Sequence, residues 1–519
     1  MKEKITIYAR VAYYSIFLLS VIAVFLATKQ LFFFDEDIFV VNSSNSFMSG
    51  SWQRSITCQW SFRLDNYIWG ADPAGYHITN ITLHFIDALL ATAVLKRLLR
   101  YCAAWLSLWQ INFIPVIFIA FFLISPIHAE PLCYILARDA VLVTFFCLCS
   151  ILFLLRSGLK NKWLIGLSIV CFILGLLSYE ISWLVPVMIL GITIFFNRLG
   201  VLTIRKAAWL SGLYFFVFVA WFIIKIGLVD HFVVSDYKNE SLFKTEWAIL
   251  FKNIAVLLAR NFVPPFQRTL FFISASAVAG LLLLIGFVKL YKKQSRLFLF
   301  SILLLALTVC AYLPAALIGI DSHDSESERY IYFSSCFGIM LLAVLLGVCV
   351  KNVRVLFVMF CTVITFNAAI LFTTIGYYNK AAQFSQVFLA ALNVHTGNNE
   401  QVLIIDQPAQ YHGALLYRAK SRMNNNSANS ITVLNEFMQD IYQKKNTQFV
   451  SLSAKEITGI PSKLTVTQLS LDSLKTFFPY ININAHQKII STDKQEQLPL
   501  QQKQIVVAAL KDTVLYLFK

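Results

Sequence analysis

The sequence predicts a polytopic all-α membrane domain of about eleven transmembrane helices, followed by a small α/β domain on the extracytoplasmic side. Three observations predict it. Of 519 residues, 58% are hydrophobic and only 13% charged, with a mean hydropathy of +0.69, whereas a soluble chain carries about 25% charged residues. Apolar runs long enough to cross a bilayer recur up to about residue 377, and beyond that point the composition turns polar.

A span needs about 20 mostly apolar residues. The runs lie near 11–34, 77–95, 103–125, 139–155, 163–178, 180–196, 207–228, 269–288, 297–318, 331–350 and 355–377. The fifth and sixth are short and almost continuous, which leaves re-entrant or tilted halves open. The first run covers about 24 residues with no small-x-small cleavage pattern after it, so it is read as a span and not a signal peptide.

A net charge of +16 raises nucleic acid as a partner, and its distribution argues against it. The basic clusters fall in alternate connections: Lys2/Lys4/Arg10, Lys96/Arg97/Arg100, Arg156/Lys160/Lys162, Arg198/Arg205/Lys206, Lys289/Lys292/Lys293/Arg296 and Lys351/Arg354. By the positive-inside rule these face the cytoplasm. The acidic triplet Asp35-Glu36-Asp37, directly after Leu31-Phe32-Phe33-Phe34, is then outside, and an odd number of spans puts the C-terminal segment outside too. None of the ten cysteines follows Cys361, so the tail is not built on disulfides; Cys58 and Cys133 alone fall in outer segments.

The membrane domain is assigned to 1–378, with long outer loops at 35–76 and 229–268, and the tail domain to 379–519. Loops of this length carry function more often than plain connections do. The second contains an amphipathic stretch, Lys244 to Arg260, expected to lie in the interface. In the tail, β-rich runs at Gln401–Ile405 and Gln504–Val507 alternate with a helical pattern near Asn435–Gln443.

Polar groups within the apolar runs are the candidate site. His77, Asn80, His84 and Asp87 are spaced three, four and three apart, which sets them on one helix face. A charged group at mid-membrane costs about 3 kcal/mol on insertion scales, so the stripe should meet protein or a wet cavity. Interhelical hydrogen bonding is the plain alternative, and no third ligand completes a metal site from His77 and His84. Ser125-Pro126-Ile127-His128-Ala129-Glu130-Pro131 and Arg138-Asp139 follow on the outer side, where Glu130 either pairs with Arg138 or joins the acidic triplet. Glu328-Arg329-Tyr330-Ile331-Tyr332 opens the tenth run; its Arg suits a phosphate or lipid headgroup, through forked hydrogen bonds to oxyanions, or simply anchors the interface.

Taken in order, these segments resemble the GT-C superfamily of glycosyltransferases that use polyprenyl-phosphate sugars. They are most similar to the membrane part of the protein O-mannosyltransferase branch whose eukaryotic members carry tetratricopeptide repeats. The residues that carry the likeness are Phe34-Asp35-Glu36-Asp37 with Asn42, Arg54-Ser55-Ile56, Trp69-Gly70-Ala71-Asp72-Pro73-Ala74-Gly75-Tyr76-His77 through His84, Pro126-Ile127-His128-Ala129-Glu130 with Arg138, and Glu328–Tyr332. It covers most of 1–380. The chain departs from the pattern at Ser55 (usually Pro), Ser125 (usually His) and Tyr179 of Ser178-Tyr179-Glu180 (usually Lys), and no repeat array follows.

The resemblance implies an inverting transfer from a polyprenyl-phosphate sugar donor to a hydroxyl of a glycan, lipid or protein acceptor. Asp35 or Asp37 would be the base, with Glu36 and Glu130 as further catalytic acids. Arg54, His77, His84, His128, Arg138, Glu180, Arg329, Tyr330 and Tyr332 would bind substrate. A divalent cation, Mg or Mn, held by Glu130 and the triplet is a candidate cofactor. The absent repeat tail suggests a bacterial inner membrane with the site facing the periplasm. A lipid-linked sugar transporter or flippase, a polysaccharide polymerase or ligase, and a catalytically silent scaffold are the rival classes; no repeated halves of the transporter kind are visible.

Overall fold

The computed structural model describes residues 2–34, 37, 56–158, 160–228, 247–320, 322–323, 325 and 327–397, together with a set of strands and neighbouring residues between 401 and 518. Of the predicted site residues, Asp35, Glu36 and Arg54 lie outside the described residues.

The helices are α1 (Lys2–Thr28), α2 (Ile56–Trp69), α3 (Pro73–Tyr101), α4 (Leu108–Leu123), α5 (Ala129–Cys133), α6 (Arg138–Arg156), α7 (Lys162–Leu176), α8 (Val185–Arg198), α9 (Ile204–Leu228), α10 (Trp247–Arg260), α11 (Thr269–Lys293), α12 (Ser295–Tyr312), α13 (Tyr332–Cys349) and α14 (Val353–His395). Among the described residues nine helices are long and apolar enough to cross a membrane, or ten if the bent pair formed by α4 and the Pro126–Cys133 segment counts as one span. The protein is therefore a polytopic helical membrane protein.

Local sequence sets where these helices begin. Asp72 caps α3, its carboxylate accepting from the Ala74 amide at 3.0 Å, with Pro73 in the first turn, where its missing N–H costs nothing. Ser107 and Gln110 form a reciprocal capping box on α4. Asn161 and Asn352 cap α7 and α14 through two backbone amides each.

The interior is built where α6 packs on α3 and α7, and α13 on α12 and α4. α13 is the most enclosed span, while α11 and the membrane part of α14 keep most of their apolar surface outward. Close approach at the α4–α13 crossing depends on Gly347, where a Cβ would come within 2.6 Å of Ile114; Gln110 Nε2 there donates to the Gly347 carbonyl at 3.1 Å.

Of the fifth and sixth predicted runs, Glu180–Arg198 is a candidate span and Lys162–Leu176 a shorter apolar helix, while a bent element follows the third run. α4 stops at Ser125-Pro126 because proline cannot continue the ladder. A 3-10 turn, Pro126–His128, leads into the short α5 at a bend of 54°, and a second turn, Ile135–Ala137, leads into α6. Of the amphipathic stretch, Trp247–Arg260 is helical with Leu257 and Arg260 buried and Trp247 and Phe251 exposed.

α14 has 43 residues, about 64 Å at 1.5 Å per residue, roughly twice a hydrocarbon core. It runs past residue 379 without a break, and Asn379 Nδ2 donates to the Ala27 carbonyl near the end of α1 at 2.7 Å. Beyond it, β1 (Gln401–Ile405), β4 (Gln448–Ser451), β6 (Thr465–Leu469), β10 (Ile505–Lys511) and β11 (Val514–Phe518) form one sheet in the order β4-β1-β10-β11-β6. The two β-rich runs of the sequence pair with each other in parallel, Gln401 opposite Ile505. Parallel pairing requires crossover connections. Val402 to Ile405 are all buried, as expected of a strand covered on both faces.

Candidate functional site

The bent segment between α4 and α6 is the hub. Pro126 to Ala137 is buried almost throughout, and Asp37, Asn80 and Arg329 all bond to it. Glu130, 1% exposed, accepts the Arg329 amide on Oε2 at 2.9 Å and faces the Arg329 guanidinium through Oε1 at 3.7 Å. Ser327, in the left-handed region at φ 72°, turns the chain into the Glu328–Ile331 helical turn that presents this arginine.

Asp37 is fully buried. Its Oδ2 accepts the amides of Phe34 at 3.1 Å and Ile135 at 3.3 Å, and its Oδ1 accepts that of Leu136 at 2.9 Å. The carboxylate thus caps the Ile135–Ala137 turn, supplying acceptors to amides that open a helix and have no partner within it. Through this contact the acidic end of the first loop is pinned to the hub.

Arg138 is also fully buried, and it serves the scaffold. Nη1 lies 2.6 Å from Asp65 Oδ2 and 3.3 Å from Ser61 Oγ. Nη2 donates to the Tyr76 carbonyl at 2.9 Å and Nε to Asn80 Oδ1 at 2.5 Å, while the Phe62 ring lies 4.5 Å away. Of the two alternatives open for Glu130, pairing with Arg138 is not what the structure has: the pairs are Arg138–Asp65 and Arg329–Glu130. A third pair escaped the sequence reading: Arg260 Nη2 sits 2.6 Å from Glu328 Oε1, with neither side chain exposed. Its signals were present, an acid in the Glu328 motif and an arginine ending the amphipathic stretch, but nothing in their spacing joined them.

Arg329 differs from the other two arginines. Its side chain keeps 19% exposure, its Nε has no hydrogen-bond partner among the described residues, and its guanidinium lies 5.7 Å from the Tyr134 ring and 5.4 Å from the Tyr330 ring. Tyr330 stacks in turn on Tyr179 at 6.4 Å and 11°, so Tyr179 extends an aromatic wall beside the cation. Glu180, half-buried, starts the next 3-10 turn.

The stripe on α3 faces inward, as its spacing predicts. His77 Nε2 donates to the Phe32 carbonyl at 3.1 Å, and Asn80 Nδ2 donates to the carbonyls of Tyr134 and Ile135 at 3.2 Å each. Deeper, His84 Nδ1 meets Tyr332 Oη at 2.8 Å, and that hydroxyl donates to Asp87 Oδ2 at 3.2 Å. His128 contacts the Phe122 carbonyl at 2.9 Å and Ser335 Oγ at 2.8 Å. The described site residues therefore fall into three groups. Asp37, Glu130, Arg329, Tyr330 and Glu180 belong to short turns and connecting segments, His77 and Arg138 bind the scaffold, and His84, His128 and Tyr332 form an enclosed interhelical network with Asp87.

No three His, Cys, Asp or Glu side chains among the described residues are arranged to hold a metal ion. Asp37 and Glu130 direct their oxygens to protein N–H groups. Compared with known proteins, the chain matches no family model, no curated protein and no solved structure.

Proposed function

We propose that the protein is an integral-membrane glycosyltransferase that moves a hexosyl or pentosyl group from a polyprenyl-phosphate donor to an acceptor hydroxyl, with inversion. The carrying observation is that Asp37, Glu130 and Arg329 all attach to one hub, at the end of the bundle where the first loop begins. A guanidinium that keeps 19% exposure beside two tyrosine rings suits the phosphate of a lipid-linked sugar entering from the side.

In this reading the acceptor oxygen attacks the anomeric carbon as its proton passes to a carboxylate. The bond from that carbon to the phosphate oxygen breaks, and the polyprenyl phosphate leaves with its charge met by Arg329. Asp37 already accepts three peptide N–H groups, which favours Asp35 as the base and Asp37 as its anchor; two residues of chain keep their Cα atoms within about 7 Å. Glu130 holds Arg329 in place. No step is assigned to a metal.

In this reading the bent pair and the 15-residue α7 are taken as spans beside the nine long helices; the resulting odd number, eleven, would have the sheet region and the first loop share one side, and the basic connections make it the extracytoplasmic one. A bacterial inner membrane with a periplasmic site is the setting we infer. A catalytically silent scaffold is the second reading, favoured because Arg138 is consumed by the fold and Tyr179 replaces a cation. Comparison of lipid-linked sugars and finished glycans in cells with and without the protein separates the two: accumulation of a polyprenyl-phosphate sugar with loss of one glycan supports transfer, and unchanged pools support the scaffold.

A further inference from the structure

The opposite end of the bundle carries a second polar cavity. About 260 Å³ in volume, it lies between α1, α3 and α4, and its lining includes Arg10, Tyr13, Lys96, Arg100 and Asn112. Three cations share it. Arg10 and Arg100 both act electrostatically on Lys96, whose ammonium is held 4.4 Å from the Tyr13 ring. Among the described residues none of the three is ion-paired with a carboxylate, and none that lines the cavity is acidic. Like charges gathered in one cavity repel, the more so where the bilayer lowers the local dielectric constant. A fold that gathers three such charges with no counter-ion among the described residues gains from an anion placed among them.

The position identifies the anion's form. Arg10, Lys96 and Arg100 belong to the basic connections that the positive-inside rule sets at the cytoplasmic interface. The outward face of α1 beside them, with Ile7, Val11, Tyr14 and Leu18 at 49–66% exposure, is apolar and continuous with the lipid-facing surface. Within α4, Pro115 cannot donate to the Ile111 carbonyl one turn earlier, and both residues line the cavity, so an acceptor stands beside the cations. A phosphate with a hydroxyl or ammonium nearby matches cations and acceptor together.

We propose that this cavity is a binding site for the phosphate headgroup of an anionic phospholipid of the inner leaflet, its acyl chains lying along α1. It is separate from the outer site and does not depend on the glycosyltransferase reading.

Native mass spectrometry and thermal unfolding of the full-length protein in detergent test it, with short-chain phosphatidylglycerol, short-chain phosphatidylcholine and inorganic phosphate as the three probes. Wild-type protein should retain and be stabilised by phosphatidylglycerol over phosphatidylcholine, and the Arg10→Gln/Lys96→Gln/Arg100→Gln variant should bind it at least tenfold more weakly. These side chains are exposed, so the variant should unfold at the wild-type temperature without lipid; the single Lys96→Gln variant gives a second, milder reading. Stabilisation by inorganic phosphate equal to that by phosphatidylglycerol would overturn the lipid assignment in favour of a soluble phosphate. Lack of phosphatidylglycerol selectivity in the wild type, or equal binding by wild type and variant, would overturn the site itself.

Discussion

The Arg138 guanidinium lies 2.6 Å from the Asp65 carboxylate, and neither side chain is more than 5% exposed. The pair joins α2 to α6, and the remaining donors of Arg138 reach Asn80 and the Tyr76 carbonyl on α3. Removing one partner of a buried pair strands the other charge, at a cost of about 3–5 kcal/mol. Arg138→Met should therefore lower the unfolding temperature sharply and abolish activity through the fold. Arg138→Met/Asp65→Leu should be less destabilised than the sum of the single changes, as a double-mutant cycle in detergent would read.

The same logic applies to Arg260 and Glu328, 2.6 Å apart and wholly enclosed. Glu328→Gln keeps the shape but leaves the Arg260 charge unmatched, so it should destabilise by about 3 kcal/mol or more. Because Glu328 precedes Arg329 in one helical turn, any activity that survives should show a raised donor KM. Thermal unfolding and donor titration of the same preparation give both numbers.

Arg329→Ala should behave differently from the two buried arginines. Its guanidinium keeps 19% exposure and meets Glu130 at a long 3.7 Å, so the unfolding temperature should move little. A charge-assisted hydrogen bond contributes about 1.5–3 kcal/mol, which corresponds to roughly 10- to 150-fold in donor kcat/KM. Acceptor KM should stay near the wild-type value, and equal loss for both substrates would remove the phosphate-binding role.

Cys58, on α2, is buried, and burial pushes its thiol well above the usual range. Only the thiolate reacts, so between pH 7 and 8.5 the folded protein should leave Cys58 unmodified by maleimide, while detergent-unfolded protein reacts fully. Cys58 and Cys133 are both free thiols, so mass mapping without reductant should find no bond between them.

Features carried by local spacing were legible in the sequence. The 3-4-3 spacing of His77, Asn80, His84 and Asp87 placed four side chains on the inner face of α3, where all are buried, because the period of a helix fixes the face whatever the partner. The β1 and β10 runs were legible for the same local reason. Partners distant along the chain were not: Arg138 and Asp65 are 73 positions apart, Arg260 and Glu328 68, and no local rule pairs them. The bend at Ser125-Pro126 was hidden because the apolar pattern of α4 reaches Ile124, and only proline marks the stop. The amides of Ile135 and Leu136 that Asp37 accepts were hidden by distance, 98 and 99 positions away along the chain.

The central claim is transfer from a polyprenyl-phosphate sugar with Asp35 as base and Asp37 as its anchor. The most direct measurement is single-turnover transfer from radiolabelled polyprenyl-phosphate sugars by purified wild-type, Asp35→Asn and Asp37→Asn proteins, with unfolding temperatures taken on the same samples. Transfer by the wild type is expected, with a loss of about 10²- to 10⁴-fold in Asp35→Asn at unchanged stability and a loss coupled to lower stability in Asp37→Asn. Full activity in Asp35→Asn, or no transfer by the wild type from any hexosyl or pentosyl donor, would contradict that claim.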